Sequence, residues 1–219
     1  MRRKDSVMLI ASYNPRSTGD TMVVILNQDI GDQQVEIHDE VARIYDEDSQ
    51  TTLGYNFLKA SEILPEIVNV NGRVSLTPDQ IKKINQYLKD HRFPGDIQFD
   101  DDPKFVVGYV QSVVDHPHSN HLQITKTDVG NGQILQIVSG SPNMKADIKV
   151  VVAKVGAMMP DGQIIWRGEL RGVQSDGMIC SGRELELPNA PQVPGALILP
   201  DSYQIGESFE FDKAKHLFD

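Results

Sequence analysis

The sequence is short of several things, and each shortage narrows what the chain does. One cysteine, Cys180, stands alone among 219 residues. No internal disulfide is available, which argues against a stapled secreted domain. Its setting, the apolar run Met178-Ile179-Cys180, reads as packing, and a catalytic thiolate needs a base within reach. Aromatic residues are 6% of the chain, with a single tryptophan, Trp166, so there is little material for stacking successive bases. No run approaches the roughly 18 apolar residues that span a bilayer. The N-terminal MRRKDSVMLIAS begins with basic residues, but its apolar stretch is only Val7 to Ala11 and no signal-cleavage site follows. These features predict a cytoplasmic protein with no membrane partner.

Catalytic signatures are missing too: there is no phosphate loop, no G-x-S-x-G elbow, no H-E-x-x-H and no paired C-x-x-C. His116, His118 and His121 crowd one stretch, but Asp115 is the only carboxylate beside them, so they read as a polar loop. The chain is expected to be no enzyme and to hold no metal or cofactor.

Positive charge is scarce, with 21 Lys and Arg against 31 Asp and Glu, a net of -10. Phosphate binding normally rests on a basic field. The deficit is uneven: residues 1–103 carry a net of -7 and residues 104–210 a net of -3. Any RNA affinity of the second half is therefore expected to be modest and strongly salt-dependent.

What is present is an ordinary globular composition, 39% hydrophobic and 24% charged, in a chain long enough for two domains. The acidic, proline-containing stretch Phe99 to Lys104 marks the border, giving domains 1–103 and 104–211. In the first, Val7 to Ile10, Met22 to Leu26 and Val35 to Ile37 read as strands, and Val41 to Phe57 as a hairpin. A short helix starts near Lys59. Thr77-Pro78-Asp79-Gln80 is a capped helix start, and Ile81, Ile84 and Leu88 then recur on one face to about His91. This is a small β-rich α+β domain. In the second, Phe105 to Val114, Leu122 to Val129, Ile134 to Ser139 and Lys149 to Val155 are strands, with Ile164 to Trp166 and Met178 to Cys180 available to complete a closed barrel. A five-stranded Greek-key barrel is the common small solution.

Three motifs punctuate that half. In HPHSNHL (116–122), Pro117 stiffens a loop while Ser119 and Asn120 either fix a turn or meet a ligand. In VSGSPN (138–143), Gly140 allows a sharp turn, and Ser141 and Asn143 bond back to the main chain or outward. In LRGVQSDGMICS (170–181), Arg171 suits a phosphate and Gly172 and Gly177 permit close approach. Ser175 and Ser181 add hydroxyls there, and Met178 offers either an apolar face or core packing.

In order and spacing these motifs resemble the tRNA-binding domain at the N-terminus of the bacterial phenylalanyl-tRNA synthetase β subunit, over about 100 residues. The departures are specific: Asn120 and His121 replace the family's aspartate and lysine, Ser139 and Ser141 stand in a V-C-G-A-P-N motif, and Glu169 reverses a lysine. Together with IASYN (10–14), GDT (19–21) and VARIYDEDSQTTLGYNF (41–57), the layout resembles the free-standing YtpR-type tRNA-binding proteins. The resemblance implies a mainly β chain whose C-terminal OB-fold barrel binds folded tRNA without catalysis. Ser119, Asn120, Lys126, Ser141, Asn143, Arg171, Ser175, Met178 and Ser181 are its candidate contacts. It also implies a homodimer by analogy, and leaves the acidic N-terminal domain for a protein partner. The same barrel resembles CsaA-type peptide-binding chaperones, a rival that the net acidity and Glu169 favour.

Overall fold

The computed structural model describes residues 8–29 and 31–219; the basic start and Val7, the first residue of the expected first strand, lie outside them. The chain divides into two compact units, Met1–Asp101 and Asp102–Asp219. No helix among the described residues is long and apolar enough to cross a membrane.

The first unit runs β1 (Ile10–Tyr13), α1 (Pro15–Thr18), β2 (Thr21–Ile25), β3 (Gln33–His38), β4 (Val41–Asp46), β5 (Thr52–Leu58), α2 (Ala60–Ile63), β6 (Gly72–Val74) and α3 (Pro78–Asp90). The strands form one antiparallel sheet in the order β3-β4-β5-β2-β1-β6. Period-two alternation sends Met22, Val24, Tyr55 and Phe57 into a core shared with Ile81, Ile84 and Leu88 of α3. Each such side chain contributes about 1.5–3 kcal/mol by leaving water. The expected cap of α3 is complete: Gln80 N–H donates to Thr77 Oγ1 at 3.3 Å, and Thr77 N–H donates to Gln80 Oε1 at 2.8 Å. β1 starts later than the apolar run suggests, because Ala11 and Tyr13 are the side chains that pack beside Met22 and Val24.

Asp20 ties this unit's elements together. It accepts Tyr13 Oη at 2.8 Å from β1, and the amide and hydroxyl of Ser61 in α2 at 2.9 and 2.6 Å. Burial opposes its charge, but the Ser61 and Tyr13 donors outweigh burial and hold its carboxyl below the usual range.

The second unit runs β7 (Phe105–Asp115), β8 (Gln123–Asp128), β9 (Ile134–Ser139), β10 (Ile148–Lys154), β11 (Gly168–Leu170), β12 (Val173–Ser175), β13 (Gly177–Ile179), β14 (Ile198–Leu199) and α4 (Phe211–Ala214). The ladder order β13-β10-β7-β8-β9 is a five-stranded, nearly closed OB-like barrel, with β14 added to the edge of β10. β9 and the approach to β13 meet where Asp176 N–H donates to the Gln136 carbonyl at 2.8 Å. Val106, Val110, Ile137, Val150 and Val152 fill one core. Val107, Val151 and Ala153, which alternate with them, are buried in a second core with Cys180, Leu185, Leu197 and Phe209. β10 is thus buried on both faces, which accounts for its unbroken Val-Val-Val-Ala run.

One expectation is corrected. Ile164 to Trp166 is not a barrel stave: Ile164 bridges Met158, and Ile165 N–H donates to the Ala157 carbonyl at 2.8 Å, folding an arch whose Ile165 joins the outer core. The polar Glu169 to Ser175 stretch, to which the sequence pattern assigns no element, forms the two-stranded ribbon β11-β12.

A lowered carboxylate stabilises the fold above its ordinary pKa, near pH 4, and loses that contribution as pH falls through the lowered value. Asp20→Asn is expected to weaken amide-exchange protection in β1 and β2 at pH 7, by about 1–3 kcal/mol. The difference from wild type should shrink toward pH 3; an unchanged difference would dissociate Asp20 from the effect.

Candidate nucleic-acid interface

The three punctuated motifs come together at one end of the barrel. In the ladders, Asp115 pairs with Gln123 and Gln123 with Ser139, so the 116–122 and 140–143 loops leave from the same end. A Cβ built on Gly140 would stand 3.5 Å from Leu122 Cδ2, and Gly140 has no left-handed backbone. An alanine fits there, so the turn that Gly140 allows does not draw on glycine's conformational freedom.

The ribbon β11-β12 carries Arg171 and Gly172 at its tip, with φ of 49° and 82°. Two positive values are the signature of a type I′ hairpin turn, for which Asn-Gly is the usual chemistry. An arginine there is held in a left-handed conformation at a cost of about 1–2 kcal/mol. Turn formation alone does not explain that residue. The ribbon is tied to β9 by Gln136 Nε2 donating to the Gln174 carbonyl at 2.9 Å and Val138 N–H donating to Ser175 Oγ at 3.1 Å. Toward its tip it meets the 116–122 loop, where Arg171 Nη1 donates to the His118 carbonyl at 3.3 Å and the His116 ring reaches the Leu170 carbonyl at 2.9 Å.

The candidate contacts separate into free and committed groups. Arg171, Asn120 and Lys126 are exposed. Lys126 stands on β8 opposite Gln136, the residue whose side chain holds the ribbon. Ser119 is half-buried, and its hydroxyl accepts the amides of His121 and Leu122 at 3.4 and 3.3 Å. Ser141 is half-buried in the second loop, its amide donating to Ser139 Oγ at 3.2 Å.

Four further candidates are engaged within the unit. Ser175 is buried, accepting Val138 N–H and donating to the Gly177 carbonyl at 3.0 Å. Ser181 is buried and bonded to the Glu184 carboxylate at 2.7 Å. Asn143 clamps Ala196, donating to its carbonyl at 2.9 Å and accepting its amide at 2.8 Å. Met178 packs against the outer core. Each serves backbone or core at a loop end, where orphan amides demand partners. Gly177 also serves the barrel, since an added Cβ would lie 2.8 Å from the Ala153 carbonyl at a φ of +154°.

Several cations are committed likewise. Lys154 is buried against Asp102, Lys149 Nζ donates to the Asp201 and Tyr203 carbonyls at 2.7 and 2.6 Å, and Arg167 pairs with Asp176 at 2.8 Å. Lys126, Lys145, Arg171 and Arg183 are exposed, and Glu169 is exposed two residues before Arg171. The residue missed by sequence reasoning is His116. It is buried rather than part of an exposed histidine loop, and the strand residue before it, Asp115, is the available signal. Burial pushes the Cys180 thiol up to about 12, which removes it as a nucleophile.

Asn143 and Ser181 instead border a cavity of about 250 Å³, lined also by Pro191, Val193, Pro194 and Phe218. Val193 is 62% exposed at its rim.

Barrel order defines an OB-like barrel protein with its three motifs gathered at one end. A family model described as "Putative tRNA binding domain" matches residues 105–208, and one described as "Domain of unknown function (DUF4479)" matches residues 28–100. The chain is 42% identical over 203 residues to the "Putative tRNA-binding protein YtpR" of Bacillus subtilis, covering 92% of this chain and 99% of that one. It belongs to the YtpR family. It is also 40% identical over 143 residues to the phenylalanine–tRNA ligase β subunit of Nitratidesulfovibrio vulgaris, spanning 65% of this chain but 17% of the ligase subunit. The Ralstonia nicotianae β subunit is 45% identical over 108 residues, spanning 47% and 13%. Among solved structures, the C-terminal domain of Plasmodium vivax p43 aligns with 50% of this chain and 61% of its own at 26% identity and a TM-score of 0.36.

Ser175→Ala leaves the buried Val138 amide without its acceptor and is expected to destabilise the second unit by about 1–3 kcal/mol. Trp166, the only tryptophan, reports this in denaturant titrations; an unchanged midpoint would return Ser175 to the list of ligand contacts. Cys180 should react with a thiol reagent only as fast as the second unit unfolds. Rapid labelling of the native protein would contradict its assignment to the core.

Proposed function

We propose that this chain is a noncatalytic tRNA-binding protein whose barrel holds the folded corner or backbone of tRNA by phosphate and shape contacts. The observation that supports this most is Arg171, exposed at the tip of a turn that an asparagine would make at lower cost, beside the exposed Asn120 and the loop of Ser119. One guanidinium donor is used on His118, and a planar fork with donors to spare suits a phosphate. Lys126 extends the cationic edge along β8, and Ser141 lines the neighbouring loop. The names of the B. subtilis relative and of the matched domain point to the same ligand.

Aromatic side chains support shape over stacking. Phe105 and Phe209 are buried, Tyr109 Oη donates to Asp147 at 2.7 Å, and the three motifs contain no Phe, Tyr or Trp. A platform for an unstructured strand needs such rings; a folded RNA is read through backbone and form. A cytoplasmic setting follows from that ligand. A homodimer, by analogy with related barrels, would present two such edges to one RNA, and the acidic first unit is left to face a protein partner. A peptide-binding role is the second reading, favoured by the cavity beside Asn143 with its apolar rim of Val193 and prolines.

The test is a titration of total tRNA, and separately of an unfolded peptide, over a salt series. The tRNA affinity should fall steeply with salt. Replacing both Arg171 and Lys126 by alanine should weaken binding by tenfold or more, roughly 1–3 kcal/mol, and reduce the logarithmic salt slope by about 2, one per phosphate contact. Unaltered tRNA affinity in that variant removes this edge, and peptide binding without tRNA binding replaces the reading by the second.

A further inference from the structure

His116 is buried, at 3% exposure, while Pro117 and His118 beside it are exposed. Both of its ring nitrogens are engaged. A carbonyl only accepts, so Nε2 carries the hydrogen that meets the Leu170 carbonyl at 2.9 Å; an amide only donates, so Nδ1 accepts the His118 N–H at 3.1 Å. One ring therefore shapes its own loop and grips the residue immediately before Arg171, 54 positions along the chain.

That grip matters because little else among the described residues holds the ribbon at this end. β11 and β12 are three residues each, and a two-stranded ribbon is marginal in water without further support. Its ties to β9, at Gln174 and Ser175, lie on the strand that leaves the turn. On the strand that enters it, the side-chain tie adjoining the tip is the His116 bond. Without it, the Arg171 bond to the His118 carbonyl, long at 3.3 Å, is left to orient the tip.

We propose that His116 is a positioning residue for RNA recognition: with its proton on Nε2, it sets where the Arg171 fork stands. The inference rests on the tRNA reading above and adds to it a residue that touches no RNA. A recognition group must be held to about 0.5 Å by packing and supporting bonds, and His116 supplies one of those bonds from a buried, already ordered ring.

Two substitutions separate its two nitrogens. Glutamine places an amide nitrogen near the reach of Nε2 and retains the bond to Leu170. Asparagine reaches only the position of Nδ1 and retains the loop bond alone. Two measurements apply to each full-length variant: tRNA affinity, and amide exchange across β11-β12 in the free protein. His116→Ala and His116→Asn are expected to weaken tRNA binding about tenfold and to speed exchange in the ribbon by a similar factor, the worth of one buried hydrogen bond. His116→Gln is expected to return both to within about threefold of wild type.

Equal rescue by asparagine and glutamine, or unchanged ribbon exchange in His116→Ala, overturns the proposal. So does unchanged tRNA affinity in His116→Ala where Arg171→Ala weakens binding, and in that case the RNA reading stands without it. Unchanged affinity in both variants removes the Arg171 site itself, and the positioning role with it, even where ribbon exchange rises.

Discussion

A small barrel depends on its seam. Three of the four ladders in this one, β10-β7, β7-β8 and β8-β9, are made by strands of ordinary length, but β9 closes toward the short β13 through a few bonds: Asp176 N–H to the Gln136 carbonyl, and Val138 N–H to the Ser175 hydroxyl. The ribbon β11-β12 ends at that same Ser175. Closing the barrel and placing the Arg171 turn are therefore one structural event. A serine in this position can accept one amide and donate to the next carbonyl at once, which lets the chain leave the ribbon and enter β13 with the Val138 amide and the Gly177 carbonyl both bonded. Gly177 completes the crossing, because the Ala153 carbonyl leaves no space for a side chain there.

The net charge of -10 is a poor guide to such a surface. Charges farther apart than about 8 Å are largely screened at physiological salt, so a phosphate at the ribbon tip responds to the nearest few residues. Those include Arg171 and also Glu169 two residues before it. The two oppose one another within the same hairpin, so the field at the exposed fork is weaker than one arginine alone would give. Cations already engaged within the unit contribute little to that field: Lys154 is buried against Asp102, and the half-buried Lys149 is bonded to the Asp201 and Tyr203 carbonyls.

The parts of the fold set by local chemistry were legible in advance. Thr77 and Gln80 announce a capped helix because their mutual bonds need no tertiary context, and the strands of β4-β5 and β7-β10 follow from β-branched runs between turn residues. The ribbon was not legible: Glu169, Gln174 and Ser175 have no apolar alternation, and what stabilises them is the edge of β9. Polar loop-end residues were ambiguous for a related reason. Asn143, Ser175 and Ser181 have the same hydrogen-bonding groups whether they face a ligand or an orphaned amide, and the choice is made by residues far away in sequence, Ala196 and Val138 among them. His116 was misplaced because a histidine among histidines looks solvent-exposed until the Leu170 carbonyl is brought over it.

Removing those committed residues alters what kind of recognition the barrel end can support. Of nine candidate contacts that suggest a broad polar surface, four are engaged in the unit's own bonds and core, and of the other five Arg171, Asn120 and Lys126 are exposed. A few groups on a rigid frame cannot read base identity along a strand, which takes several base-edge contacts or stacking rings. They can read the spacing of phosphates on a ligand that is itself rigid, since geometry then compensates for number. The strain held at Arg171 belongs to the same logic. A flexible arginine on an ordinary loop would lose its freedom upon binding, whereas one fixed in a left-handed turn has lost backbone freedom during folding, at the expense of the barrel's stability rather than of the ligand's affinity.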